Sequence, residues 1–299
     1  MKAAFIGTGT MGGGMARNLK KKGMDLTIIA RRPEVRAQFS ALGCPVFAGP
    51  ADAAGCDLIF LCLPDEAATE AVLFGPGALA AHLPQERIIV DCSTISYLKA
   101  RELADRLAAS GIHYLDAPVS GHQAKAEAGT LSIMVGGEED VFETVRPFLN
   151  MMGSQVLYMG PSGSGQLTKM INNCALNICA ASFCELMPLG VKLGLSPEKL
   201  GDVLMQASGS SYASKTLIPE ILEGRFDHGF TMEKAYKDIQ SMTQLLARIG
   251  LSLPTFEGMQ KTYEKALESG YGNEYKGAMI RCYEDILDVK CRRKPSKEE

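Results

Sequence analysis

With 299 residues, 46% of them hydrophobic, and a formal net charge of −3, the chain is long enough for one large domain or two ordinary ones and has a globular composition. It lacks the basic excess of a nucleic-acid binder, contains no unbroken run of about eighteen apolar residues to span a membrane, and opens on MKAAFIGTGT without the apolar segment of a signal peptide. Nine cysteines with no CxxC pair point to reduced thiols in a cytoplasmic setting, not to a disulfide framework or a metal site.

In chain order, AAFIG (3–7), LTIIA (26–30), LIFLC (58–62), RIIVD (87–91) and IHYLD (112–116) predict strands. Amphipathic stretches such as MARNLKKKG and LKARELADRLAASG lie between them. Strand and helix in alternation predict a parallel sheet with helices on both faces, and the continuous apolar runs suit strands buried on two sides. GTLSIMVGG and QVLYMG predict further strands, with a helix over 138–150 between them. From Gly163 strand signals stop, and helices are predicted over 165–193, 197–207, 212–224, 231–249, 254–269 and 273–290. The first is long and apolar nearly all round, as expected of a helix between domains, with Pro188 as a candidate kink. Cys174, Cys179 and Cys184 on it, at five-residue steps, read as small core or half-buried residues. The expectation is an α/β Rossmann-type doubly wound, mostly parallel sheet over 1–162, then an all-α domain over 163–290 joined by the long interdomain helix, then a frayed polar tail over 291–299.

IGTGTMGGGMARNL places Gly7, Gly9 and Gly12 at GxGxxG spacing, after a predicted strand and at the opening of a predicted helix. Gly7 permits a tight turn, Gly9 lets a pyrophosphate approach the backbone, and Gly12 lets helix pack on strand. The N–H groups of the helix start, through Thr10 and Met11, then face the phosphates. The second strand ends at IIARRPE, where an enzyme selective for NADH usually has Asp or Glu on the ribose hydroxyls. Arg31 and Arg32 stand there instead and would attract a 2′-phosphate. NADPH is therefore the expected cofactor, with NADH still admissible. An ordinary pair of solvated arginines is the competing explanation.

GQLTKMINN sets Lys169 and Asn173 four residues apart, on one face of the long helix. A lysine entering an apolar helix is either a surface group near a helix start or a functional group that something pairs with or uses. The residues alone leave both readings open.

Four stretches together carry a resemblance: FIGTGTMGGGMARNL, DAPVSGHQAKAEAGTLSIMVGG (116–137), GSGQLTKMINN (163–173) and FDHGFTMEKAYKDI (226–239). From about residue 3 to 285 the chain resembles the β-hydroxyacid dehydrogenases, a family that includes 3-hydroxyisobutyrate dehydrogenase, tartronate semialdehyde reductase, 2-(hydroxymethyl)glutarate dehydrogenase and the glyoxylate/succinic semialdehyde reductases. The resemblance implies that Lys169 is the catalytic general acid/base, with Asn173 bonding the lysine or the substrate. It implies that Ser120 and Gly121 hold the substrate carboxylate. His122 replaces a second family glycine, and either contacts a polar substrate or points to solvent. Leu63, Pro64 and Thr94 would lie along the cofactor, Thr94 having a helix N-cap as its alternative role. Lys237 would reach the cofactor and Asp238 would orient that region. Gly165 matches a close-packing glycine, and Asn172 reads as a structural amide. Ser208, Ser210 and Ser211, in the turn QASGSSYASK, are candidates for the far end of a polar substrate or ordinary loop residues.

The implied function is reversible NADPH-dependent reduction of small carboxylate-bearing aldehydes or ketones, without a metal, in a cytoplasmic homodimer or homotetramer that binds neither nucleic acid nor membrane. Two alternatives stay open: an imine reductase-like enzyme, against which the lysine counts, and a non-catalytic NADP-binding module. The decarboxylating 6-phosphogluconate enzymes are related in fold but considerably longer.

Overall fold

The computed structural model describes residues 1–293, which form two compact units, Met1–Lys169 and the remainder from Met170. The first unit runs β1 (Lys2–Ile6), α1 (Thr10–Lys21), β2 (Asp25–Ile29), α2 (Pro33–Ala41), β3 (Val46–Phe47), β4 (Leu58–Leu61), α3 (Glu66–Phe74), β5 (Ile88–Asp91), α4 (Tyr97–Ala108) and β6 (His113–Asp116). It continues through β7 (Val119–Ser120), α5 (Gln123–Ala128), β8 (Leu131–Gly136), α6 (Glu139–Leu149) and β9 (Gly153–Gly160) to the first residues of α7 (Ser164–Lys192). The sheet order is β3-β2-β1-β4-β5-β6-β8-β7, with β9 on β8. The first six strands are parallel, β8 is antiparallel to β6 and β7, and β9 is parallel to β8. Strand order reverses direction at β1, and in such sheets ligands bind outside the carboxyl ends of the strands at that reversal.

The period-two alternation of each strand divides the interior into two cores. Phe5, Ile28, Leu58, Phe60 and Val90 pack on one face with Met15 and Leu19 of α1, Phe39 of α2 and Phe142 of α6. Ala4, Ile6, Ile59, Leu61 and Ile89 pack on the other with Leu73 of α3 and Leu103 and Leu107 of α4. Both faces are covered, which is why these strands are uniformly apolar rather than alternating apolar with polar. Each fully buried Leu, Ile or Phe contributes roughly 1.5–3 kcal/mol. Two strands unseen in the sequence, β3 and β7, are two residues long each.

The second unit comprises α7 from Met170, α8 (Pro197–Gln206), α9 (Tyr212–Glu223), α10 (Met232–Ile249), α11 (Pro254–Glu268) and α12 (Ile280–Leu287). The helix expected over 273–290 is instead a 3-10 turn over Lys276–Met279 followed by α12, because residues 271–275 run as a turn over Phe226 and Glu233. By length and composition α7 could cross a membrane. Met170, Cys174, Asn177, Ala181 and Cys184 are buried on it at alternating spacings of four and three, the pattern of a one-sided core helix. Cys179 is half-buried, and α7 continues past Pro188.

The expected tail divides. Cys291 is buried, its N–H donates to Glu284 Oε1 at 2.7 Å, and the Arg293 N–H donates to the Leu222 carbonyl at 2.8 Å, so the chain is held through 293. Residues 294–299 of that tail lie outside the described residues.

Candidate active site

The glycine-rich turn joins β1 to α1 at the reversal of strand order. Gly7 has φ +96°, and a side chain there would strike the Cys62 carbonyl oxygen. A Cβ on Gly12 would strike the Gly7 carbonyl oxygen, so turn and helix meet backbone to backbone. Gly9 differs: a Cβ added to it would meet nothing within 4 Å among the described residues. Gly9 is the N-cap of α1, has no side chain to cap the first N–H groups, and is followed by a first turn without an acidic residue. Thr10 is exposed and Met11 half-buried beside it. An open backbone cradle with unshielded helix N–H donors fits a pyrophosphate.

Arg31 and Arg32 are exposed at the end of β2, Arg32 being the N-cap of α2 and 3.8 Å from Glu34. Arg36, which the sequence did not single out, turns back and donates to the carbonyls of Ala30 at 2.9 Å and Arg31 at 2.7 Å. It shapes the turn that presents the two arginines.

The loops after β4 and β5 are tied together through Ser93. The Leu63 N–H donates to Ser93 Oγ at 2.8 Å, and the Ser93 N–H donates to Asp91 Oδ1 at 2.9 Å. Pro64 is exposed and Thr94 half-buried. Thr94 is not a helix N-cap; Ser96 takes that role for α4, accepting from the Lys99 N–H at 3.2 Å. Burial pushes the Asp91 carboxyl up, opposed by its bonds from Ser93 and from the Tyr114 hydroxyl at 2.9 Å.

Asp116, the last residue of β6, is fully buried. Its Oδ1 accepts from the Gly163 N–H at 2.7 Å and its Oδ2 from the Gln166 N–H at 2.8 Å. This carboxylate caps α7 from outside the helix and offsets orphan donors of its first turn. Burial pushes it up to about 6, held back by those two N–H groups. Space is tight on both sides: a Cβ on Gly136 would lie 2.6 Å from Asp116 Oδ1, and one on Gly165 2.9 Å from Oδ2. Gly165 is thus a close-packing residue, as its match implied. Lys169 stands half-buried in the second turn of this capped helix. The loop to Ser120 and Gly121 leaves from Asp116 itself. Ser120 and Gly121 are half-buried, Gly121 with φ +133°, and His122 is the exposed N-cap of α5. The carboxyl ends of β1, β2, β4, β5 and β6 therefore carry the glycine turn, the arginines, Leu63 and Pro64, Thr94, and the loop with Ser120. Asp116, Ser93 and Gln166 escaped the sequence reading because their partners are distant in the chain.

The second unit places Asn173, Lys237 and Asp238. Asn173 Nδ2 donates to Asp238 Oδ2 at 2.7 Å, and Asn172 Nδ2 donates to Asn173 Oδ1 at 3.3 Å. Asp238 therefore orients Asn173, and Asn172 bonds its neighbour rather than a distant element. Lys237 is half-buried on α10. Ser211 is the N-cap of α9 in a reciprocal capping pair with Ser214 (3.1 and 2.9 Å), which accounts for part of the serine-rich turn.

A doubly wound sheet with a glycine-rich turn at its reversal of strand order, followed by a helical unit, is a dinucleotide-binding type of architecture. Residues 2–160 match the NAD binding domain of 6-phosphogluconate dehydrogenase, and residues 163–283 match the NAD-binding family of NADP-dependent 3-hydroxyisobutyrate dehydrogenase. The chain is 35% identical over 291 residues to 2-(hydroxymethyl)glutarate dehydrogenase of Eubacterium barkeri, covering 97% of each. It is 32% identical over 292 residues to 2-hydroxy-3-oxopropionate reductase of Escherichia coli K12, covering 97% of this chain and 99% of that one. Among solved structures, a 3-hydroxyisobutyrate dehydrogenase from Salmonella typhimurium superposes with a TM-score of 0.83 at 26% identity, covering 94% of this chain and 99% of that one. The chain belongs to the β-hydroxyacid dehydrogenase family and is an NAD(P)-dependent oxidoreductase acting on CH–OH groups.

Proposed function

We propose that the protein is an NADPH-dependent reductase of small carboxylate-bearing aldehydes or ketones, reversible as a 3-hydroxyacid dehydrogenase, with Lys169 as general acid/base. The observation that carries this reading is the shared origin of two groups at Asp116: its carboxylate caps the helix of Lys169, and its backbone leads into the Ser120 loop. One residue thus anchors both a proton donor and a pair of anion-binding donors.

The glycine cradle with Thr10 and Met11 would hold the pyrophosphate, and Leu63, Pro64 and Thr94 the nicotinamide half. When bound, the cofactor supplies a hydride to the carbonyl carbon. The Ser120 hydroxyl and Gly121 N–H hold the substrate carboxylate and so orient the carbonyl. Lys169 Nζ donates its proton to the carbonyl oxygen as negative charge develops there, and accepts it back in the oxidative direction. Asn173 shares the helix face of Lys169, and Asp238 keeps its amide in one orientation.

Preference for NADPH rests on Arg31 and Arg32, with Arg36 bracing their turn. Arg31→Ala with Arg32→Ala should lower kcat/KM for NADPH about 10²–10⁴-fold and leave NADH use nearly unchanged, since two charge-assisted bonds are lost, each worth roughly 1.5–3 kcal/mol. Equal use of the two cofactors by the parent enzyme would overturn that preference.

The related 2-(hydroxymethyl)glutarate dehydrogenase and 2-hydroxy-3-oxopropionate reductase direct the substrate panel to semialdehydes: glyoxylate, succinic, tartronate and methylmalonate semialdehydes, and longer dicarboxylate analogues. NADPH oxidation with that panel tests the reading. Lys169→Ala should lower kcat by about 10²–10⁴-fold with NADPH affinity retained. Near-normal turnover by that variant would remove the lysine from the mechanism.

Leu186 and Leu189 on α7 and Leu193 in the turn just after it are exposed apolar residues, 59%, 45% and 76% exposed. Their exposure supports a homodimer or homotetramer, and a monomer by light scattering would refute it. The nine cysteines are free thiols, which supports a cytoplasmic setting.

A further inference from the structure

Gln166 lies three residues before Lys169 on α7 and is buried to 1% exposure. Its side chain bonds the backbone on both sides of Thr94. Nε2 donates to the Ser93 carbonyl at 2.7 Å, and Oε1 accepts from the Ile95 N–H at 3.2 Å. Its own N–H is held by Asp116 Oδ2 at 2.8 Å. Ser93 in turn receives the Leu63 N–H on its hydroxyl and is held by Asp91. One amide therefore joins the lysine helix to the two loops assigned to the nicotinamide half of the cofactor.

We propose that Gln166 is a positioning residue for hydride transfer: its two bonds fix the helix of Lys169 against the loop of Thr94, so that proton donor and hydride donor keep one separation. This rests on the reading of the chain as a nicotinamide-dependent reductase. The chemistry suits the task. A carboxamide donates and accepts in one plane, so it grips a carbonyl and an N–H two residues apart, whereas a buried carboxylate or an aliphatic chain satisfies one or neither. The requirement for accurate placement is steep, since a displacement of about 1 Å costs on the order of 100-fold in rate.

Two variants and two readouts test it. Gln166→Leu keeps the bulk and removes both bonds. Gln166→Glu keeps acceptance from Ile95 but, while ionised, sets a charge against the Ser93 carbonyl. When protonated, its O–H donates to Ser93 and both bonds return. Hydrogen exchange without cofactor reports the joint directly: in Gln166→Leu the Ile95 amide should lose protection. With NADPH and the best aldehyde of the panel, Gln166→Leu should lower kcat about 10- to 100-fold while KM for NADPH stays within about threefold. Relative to the parent enzyme, kcat of Gln166→Glu should recover as pH is lowered, while that of Gln166→Leu stays flat. Asp91 on β5, Asp116 on β6, Glu66 on α3 and Lys169 on α7 are present in all three proteins, and the Gln166→Leu profile carries what they contribute without a carboxyl at 166. Unchanged protection at Ile95 overturns the inference. So does lost protection with an unchanged kcat, which would make the joint structural only. A parent enzyme that transfers hydride to no aldehyde is a separate result, visible without any variant, and refutes the functional reading instead.

Discussion

The two units bury their polar side chains for different ends. In the first, the buried groups are aimed mostly at the main chain: Asp116 at Gly163 and Gln166, Gln166 at Ser93 and Ile95, Asp91 at Ser93 as well as the Tyr114 hydroxyl, and Asn18 at the carbonyls of Gly14, Ala126 and Glu127. In the second, pairs between side chains are more prominent, beside backbone bonds at Ser214 and Glu284. Asn177 Oδ1 accepts from the Tyr263 hydroxyl at 3.0 Å and Lys276 Nζ at 3.1 Å, Asn173 holds Asp238, and fully buried Glu284 takes Arg292 at 2.6 and 3.1 Å. A loop has few backbone partners of its own and needs side chains to give it one shape. Helices satisfy their own backbones and need side chains only to fix which helix meets which. Loop shaping therefore dominates where ligands are held, and side-chain pairing dominates where helices are stacked.

Pairs between side chains can be exchanged together, whereas bonds to backbone cannot, and this difference orders the tests. The largest effect is expected at Glu284. Arg292→Met should destabilise the second unit by up to about 3–5 kcal/mol by taking the two-pronged partner from a buried carboxylate, which keeps only the Cys291 N–H and Lys290 at 3.7 Å, and Glu284→Leu in the same chain should restore much of that loss. Urea unfolding of the single and double variants measures both. A double variant no more stable than the single would show that the Cys291 N–H, a backbone partner, matters more than the arginine, and would break the distinction.

Next comes Asp116. Burial raises its pKa to about 6, so the folded chain binds this proton more tightly than the unfolded one does. Its contribution to stability is therefore greatest in acid and declines as pH rises from about 4 to 6, by on the order of 3 kcal/mol. The stability gap between the parent protein and Asp116→Asn should shrink across that window and stay level above it. A gap that widens with pH would reverse the assigned sign. Asp91, shifted in the same direction, remains in both proteins.

The smallest effect is expected at Asn18. Asn18→Leu leaves the carbonyls of Ala126 and Glu127, at the end of α5, without their donor at 2.8 and 3.0 Å. The cost should be about 1–3 kcal/mol, with no second substitution able to recover it. A fully stable variant would show that these carbonyls find other donors.

What the sequence disclosed follows the same line. The β1 turn and α1 were legible because their glycines act within a dozen residues of one another, and the apolar runs of β4 and β5 because burial on two faces writes itself into every position. Two-residue strands such as β3 and β7 carry no period to read. The roles of Asp116 and Gln166 were hidden because their partners lie 47 to 73 residues away. The turn at 271–275 interrupted a helix that local propensity alone would have continued. Lys169 was visible as an anomaly, yet its residue type could not separate a surface group from a functional one.

The capping of α7 by Asp116 bears on how the chain is made. Until the sixth strand is seated, the N–H groups of Gly163 and Gln166 have only water to donate to, so in an excised segment starting near 160 the opening turn loses its cap. Lys169 gains its address only after the sheet behind it has been built, and synthesis order supplies that sheet first.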